Sequence, residues 1–306
     1  MRSLNVVVPP SKAGRPITLH VVSCIHVGHK SHQREETLAL FDRILQTPDH
    51  YLVNLGDTGD NGTKHGPGAS VYEQVINPFE QAIVIAAIFR PLVDAKKVLW
   101  WHDSNHSLRT YKESGFWTME ETVARLFFGS GIAETDWHLL DRYAAGEFVG
   151  RNRATIKKRV DVETYFQRVL EKLKPDANPR VRWAGWQAIT KLRAGQQTYT
   201  FHSMHGEGGG TAISSALNAV AKQREAAEAD IYLRGHHHKK IAADASRGIW
   251  NANGKAEFRR IGFLTTGCYL GYHDSYAEAR GYPPNATGEA RIVLHTGKKW
   301  GFELQV

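Results

Sequence analysis

One feature constrains this 306-residue chain more than any other: apolar, strand-like runs that end abruptly in a small cluster of Gly, Asp, Asn or His. The runs lie at Ile17–Ser23, Tyr51–Leu55, Lys97–Trp101, Gln197–Ser203 and Asp230–Arg234. Continuous apolar stretches of this length read as strands covered on both faces. Helix-period segments fall among them, at Arg34–Thr47, at about Gln74–Ala95 with Pro78 and Pro91 inside it, and at about Thr211–Ala227. Further strands are expected at Arg260–Thr265, Ala290–His295 and Trp300–Gln305. Strands interleaved with helices predict a layered α/β domain.

The composition, 42% apolar and 23% charged, is that of a soluble globular protein and excludes disordered, collagen-like and coiled-coil classes. No apolar run approaches the roughly twenty residues of a membrane span. The start, MRSLNVVVPPSKAGR, lacks an apolar core followed by a small-residue cleavage site, which argues against secretion. Two cysteines, Cys24 and Cys268, make no disulfide framework and point to reduced thiols in a cytoplasm. There is no internal repeat. The net charge of +8 is unevenly spread, because residues 151–182 alone hold ten Lys+Arg against four Asp+Glu. Within that segment Val162, Tyr165, Phe166, Val169, Leu170 and Leu173 recur at helical spacing, so it reads as a basic, partly helical insertion packed on the main body. Such an insertion, with Lys157, Lys158 and Arg159, suits a phosphate backbone, or is simply the wet face of a helix.

The chemistry lies just past the strand ends. Sixteen histidines outnumber Cys and Met together. Cys24 and His26 stand two apart after the first run, where strand alternation puts both on one side. Gly56-Asp57-Thr58-Gly59-Asp60 follows the second run, and the two oxygens of Asp57 suit a bridging place between two ions. Ser104-Asn105-His106-Ser107-Leu108-Arg109 follows the third, Met204-His205-Gly206 the fourth, and Gly235-His236-His237-His238 the fifth. Each motif alone is weak. Five in succession supply the carboxylate, amide and imidazole donors that catalytic divalent ions take.

In this order the motifs resemble the calcineurin-like metallophosphoesterase family, whose pattern is D-x-H, G-D-x-x-D, G-N-H-[DE], H and G-H-x-H. The resemblance runs from about Ile17 to Thr266 and leaves the insertion uncovered. Tyr51–Arg109 is similar to uncharacterised phage and bacterial members in which the third motif ends N-H-E-x-R. The resemblance implies a four-layer α/β/β/α sandwich of two mixed sheets flanked by helices, formed as a single domain over 1–306. It implies two divalent metal ions, Mn, Fe or Zn, and in-line attack on a phosphoester by a metal-bridging hydroxide. Residue by residue, it gives Cys24, His26, His238 and the bridging Asp57 to metal one, and Asp57, Asn105, His205 and His236 to metal two. His106 is then the imidazole beside the phosphate, Arg109 grips a phosphate oxygen, and Asp60 hydrogen-bonds a ligand histidine. His202 competes with His205, which is preferred because Gly206 lets the chain turn towards the site.

Three departures stand out. Cys24 replaces the usual Asp and, as a thiolate, favours Zn or Fe over Mg or Mn; as a bare buried thiol it ligates nothing. Ser104 replaces Gly. Ser107 replaces the acid that orients the imidazole, a task left to Ser107, Asp103 or another carboxylate. These departures keep open a second expectation, a non-catalytic metal-binding or partner-binding scaffold. The substrate is expected to be a phosphoester, with DNA or RNA as the class that a basic insertion attracts. His29, His32, His65 and His102 read as solvated loop histidines, and Cys268 as a buried structural thiol.

Overall fold

The computed structural model describes residues 1–9, 14–63, 72–114, 118–120, 122–123, 181–250, 253–273, 275–297 and 301–306. The expected insertion at 151–182, with Lys157, Lys158 and Arg159, lies outside them apart from 181–182, as does His65. The first half comprises β1 (Arg2–Val8), β2 (Ile17–Val22), α1 (Arg34–Gln46), β3 (His50–Asn54), α2 (Pro78–Asp94), β4 (Val98–His102) and α3 (Asn105–Ser114). Then come β5 (Trp183–Gly185), β6 (Gln187–Ala194), β7 (Gln197–Met204), α4 (Ile213–Ala221), α5 (Gln223–Ala226) and β8 (Ile231–Arg234). The chain ends through β9 (Ile241–Trp250), β10 (Ala256–Thr265), α6 (Tyr276–Ala279), β11 (Ala290–Leu294) and β12 (Phe302–Gln305).

The strands form two six-stranded mixed sheets, ordered β12-β11-β2-β3-β4-β5 and β1-β6-β7-β8-β10-β9. In the first, β2, β3, β4 and β5 run parallel, so the chain leaves β2, β3 and β4 at the same end. In the second, β7 and β8 are also parallel neighbours. Alternate residues of the central strands serve two cores. Ile17, Leu19 and Val21 meet Phe201, Ile231 and Leu233 between the sheets. On the far side of the first sheet, Val22, Leu52 and Trp101 pack against Phe41 of α1 and Phe89 of α2. On the far side of the second, Tyr232, Ile261 and Phe263 pack against Val220 of α4. The result is two mixed sheets face to face with helices outside. Phe89 links the layers, its ring centroid 4.5 Å from Phe41 and 4.4 Å from Trp101. Truncating it to Ala costs about 3–5 kcal/mol.

The two prolines of the long helical stretch resolve cleanly. Pro78 sits in the first turn, where its missing N–H is no loss, behind an Asn77–Glu80 capping box. Pro91 lies in the last turn. The Thr211–Ala227 segment divides at Lys222 into α4 and α5. Strands β1, β5, β6 and β9 are additions to the sequence reading. β1 pairs with β6 from well beyond the middle of the chain, Arg2 beside Ala188, a partnership no local pattern announces. β9 is half of a protruding hairpin with scarcely a buried residue, so it has no apolar run to find.

Candidate metal centre

The five motifs meet at the ends of β2, β3, β4, β7 and β8. Strand alternation is not what turns Cys24 and His26 to one side: the chain there has already left β2, as it has left β8 at His236 and His238. Cys24 (φ 54°), His26 (φ 53°), His236 (φ 70°) and His238 (φ 54°) are left-handed, as are Asp57 (φ 51°) and Asn61 (φ 48°). Among described residues, Lys96 is the one other non-glycine residue in that region. A left-handed residue costs about 1–3 kcal/mol, and such strain persists where surrounding bonds over-determine it. Here the Cys24 amide donates to Gly56 O at 3.0 Å, that of His26 to Asp57 O at 3.0 Å, and that of Val27 to Thr58 O at 2.8 Å. Loops one and two are thus zipped together. Gly235 is required by close approach, because a Cβ there would lie 2.3 Å from Ser23 Oγ.

The side chains converge. Asp57 is 2% exposed and His205 1%. His205 Nδ1 faces the Leu55 carbonyl at 2.9 Å, and a carbonyl only accepts, so Nδ1 carries the proton. Its Nε2 is therefore bare, and lies 3.1 Å from Asp57 Oδ2 and 3.3 Å from His236 Nδ1. His236 donates its other nitrogen to Gly208 O at 2.9 Å, so its Nδ1 is bare as well. In the neutral tautomers that these carbonyls select, the Nε2 of His205 meets two further acceptors, Asp57 Oδ2 and His236 Nδ1. Next to them, His26 Nδ1 bonds Asp60 Oδ1 at 2.8 Å, leaving His26 Nε2 buried without a partner. Asn105 Oδ1 is orphaned in the same way. Buried acceptors are ordinarily satisfied, so this donor set fits a cation. Ligand atoms within 4.8 Å of one another group as Cys24-His26-His238, Cys24-Asp57-His205 and His26-Asp60-His106. Cys24 belongs to two of these groups.

Burial pushes the Asp57 carboxyl up, but the imidazoles of His106 and His205 outweigh it and hold the group well below the usual carboxylate range. Burial, reinforced by Asp57, pushes the Cys24 thiol well up, so it ionises only against a cation. Burial also lowers His236 to about 4 and His106 to about 4, against the upward pull of Asp57. His106 Nδ1 is hydrogen-bonded to the Asp60 carbonyl, which Arg109 Nη1 also approaches, at 3.4 Å. That leaves His106 Nε2 open, 3.8 Å from Asp57 Oδ2. His202 lies elsewhere, on the outer face of its sheet beside Gln223 (3.3 Å) and Tyr232.

No family model matches the chain, and no curated protein does. Among solved structures it is similar to a 5′-nucleotidase precursor from Thermus thermophilus, at 11% identity and a TM-score of 0.30, over 95% of this chain and 54% of that one. The chain thus spans about half the length of that relative. It is also similar to the calcineurin-like phosphoesterase YfkN from Bacillus subtilis, at 10% identity and a TM-score of 0.33, over 95% and 90% of the two chains. Among described residues, no helix is long and apolar enough to cross a membrane.

Several histidines expected in solvent are buried instead. His29 is 6% exposed, His32 3% and His102 fully buried. His32 bonds Ile25 O at 2.8 Å, tying loop one to itself. Cys268 is buried at 1% exposure. Glu120 escaped the sequence reading. It is 1% exposed, with its carboxyl bonded to Ser107 and Oε2 unpartnered. Ser107 Oγ in turn bonds Ser104 Oγ at 2.8 Å, so the carboxyl missing from position 107 arrives thirteen residues later, behind the same turn. An acid between the apolar Met119 and Val123 was the available signal.

Proposed function

We propose that the chain is a metal-dependent phosphoester hydrolase. One observation carries the reading: the Nε2 of His205 lies 3.1 Å from Asp57 Oδ2 and 3.3 Å from His236 Nδ1, while His205 Nδ1 and His236 Nε2 are committed to carbonyls. Lone pairs at such range repel unless a cation lies among them. Asp57 would be shared between two ions, one held further by Cys24, His26 and His238, the other by Asn105, His205 and His236. Thiolate, imidazole, carboxylate and amide together suit Mn, Fe or Zn. Bound ions of this kind polarise a phosphoryl oxygen and make water acidic enough to attack at neutral pH.

The chain's own residues do the rest. Asp60 fixes the tautomer of His26 through Nδ1. The Asp60 carbonyl does the same for His106, whose open Nε2 can hold or deliver a proton at a leaving oxygen. Arg109, whose Nη1 lies 3.1 Å from His106 Nδ1, is a planar cation beside this imidazole suited to a phosphate oxygen. The basic segment 151–182 favours a polyanionic substrate, DNA or RNA, and so a phosphodiesterase or nuclease.

A non-catalytic scaffold is the second reading, favoured by Ser107, which stands where the family carries an acid next to the imidazole and bonds Ser104 instead. Turnover separates the two. A chromogenic phosphodiester and a phosphomonoester, assayed with added Mn, Fe and Zn, are expected to show hydrolysis that a chelator abolishes. Metal binding without turnover of either ester supports the scaffold.

A further inference from the structure

A cavity of ≈ 550 Å³ that the proposed chemistry does not use lies against α3, the helix that also carries Asn105 and His106. Arg2, Asp103, Leu108, Tyr111, Trp186 and Gln187 line it. Its size falls within the range of small-molecule sites. It shares α3 with the metal centre. At about 100° per residue, Asn105, His106 and Arg109 occupy one side of that helix, whereas Leu108 and Tyr111 occupy the other. Asp103 is two residues before Asn105, and Leu108 is one helical turn after it.

The wall is built rather than incidental. Gly185, left-handed at φ +63°, accepts through its carbonyl from His102 Nδ1 at 2.8 Å and from the Asp103 amide at 3.1 Å. The next residue, Trp186, is therefore tied to the end of β4. Arg2 lies flat across Gly185, where a Cβ would meet its Nε at 3.0 Å, and donates Nη1 to Trp183 O at 3.0 Å. Two large aromatic side chains remain about half exposed on this wall, Trp186 at 46% and Tyr111 at 48%. Around them stand a donor-only group (Arg2), an acceptor (Asp103) and a group that does both (Gln187).

We infer that this cavity is a nucleobase subsite, so that the phosphoesters preferred by the metal centre are nucleotidyl esters. Aromatic faces accept any base by stacking, and a mixed donor and acceptor rim matches the polar edge of a base but not an aliphatic or sugar-only group. As a subsite it rests on the phosphoesterase reading; as a binding site it stands alone.

The test has two arms. In the first, thymidine 5′-(p-nitrophenyl phosphate) is compared with methyl p-nitrophenyl phosphate, which keeps the leaving group and removes the base. The thymidine ester should show a KM at least about tenfold lower, in the range of one base–aromatic stack. Trp186→Ala should abolish most of that preference and leave the methyl ester unchanged. In the second arm, thymidine and adenosine are titrated onto parent protein and Trp186→Ala by equilibrium dialysis. Binding that Trp186→Ala weakens about tenfold supports the subsite even if neither ester turns over, a result that would count against the phosphoesterase reading alone. Equal KM values for the two esters, or no nucleoside binding, or binding that Trp186→Ala and Tyr111→Leu both leave intact, would overturn the inference.

Discussion

His102 and His205 are both buried, and both sit where a strand of one of the two sheets ends, yet their surroundings are opposite. Each ring nitrogen of His102 is occupied, Nδ1 by Gly185 O and Nε2 by Ser203 Oγ, both at 2.8 Å. That ring is a cross-brace between the sheets. His205 commits Nδ1 outward to Leu55 O and aims a bare Nε2 at Asp57 and His236. The difference teaches how to sort the buried histidines of this chain: burial and position do not mark a candidate ligand, whereas one nitrogen tied back and the other left open does. His26 belongs with His205, its Nδ1 on Asp60 and its Nε2 open. His32, anchored on Ile25 O, belongs with His102.

Substitutions in the two regions should therefore fail differently. The largest effect is expected at Asp57. Asp57→Asn removes the carboxylate proposed to be shared by two ions, and turnover should fall more than about 10³-fold, beyond the loss of a single electrostatic donor. Bound metal should fall with it while the protein stays folded by circular dichroism. Near-normal activity would remove the bridging role. His106→Gln comes next, with turnover reduced about a hundredfold or more and metal content unchanged, as expected of a proton-handling group rather than a ligand. Loss of metal in that variant would move His106 into the ligand set.

On the other side of the comparison, His102→Leu should spare metal content per folded molecule and lower stability by about 1–3 kcal/mol, because Ser203 and Gly185 lose their partner. Its pH signature is distinct. Burial lowers His102 to about 3, and His32 to about 3, whereas the unfolded chain titrates near 6.5. The unfolded state then binds more protons between pH 6.5 and 3, so stability is complete above about 6.5 and drains away as pH falls through that window. Denaturant midpoints across pH 4–8 should show this slope in the parent and a shallower one in His102→Leu. An unchanged slope would contradict the assignment.

The smallest effect is expected at Cys24, a change in preference rather than in rate. A hard carboxylate in Cys24→Asp should move the metal profile from Zn and Fe towards Mn and Mg and make activity indifferent to peroxide. Identical profiles in parent and variant would mean that the thiol does not ligate.

Much of the layout was legible because burial on both faces writes itself as continuous apolar runs, and because a polar cluster directly after such a run has few structural uses. β2, β3, β4, β7 and β8 are read that way. What escaped depends on long-range partners. β1 is defined by β6, and a protruding hairpin such as β9 needs no apolar face. At the site, the residue identities were readable but the backbone was not. Cys24, His26, His236 and His238 reach inward through left-handed turns, the first two held by Gly56 and its neighbours, which strand alternation does not describe. Glu120 was hidden for the same reason, since its partner Ser107 is set by tertiary packing.

The sorting of histidines by their bonded nitrogens is tested most directly by metal-to-protein ratio, measured on parent, His205→Ala and His202→Ala proteins purified without chelator. Both histidines are buried on β7 or just after it, and only His205 has its open nitrogen on Asp57. The expected result is about two ions per chain in the parent, a clear loss in His205→Ala and parental content in His202→Ala. A parent protein that binds no divalent metal, or a His205→Ala variant that keeps the full complement, would contradict it.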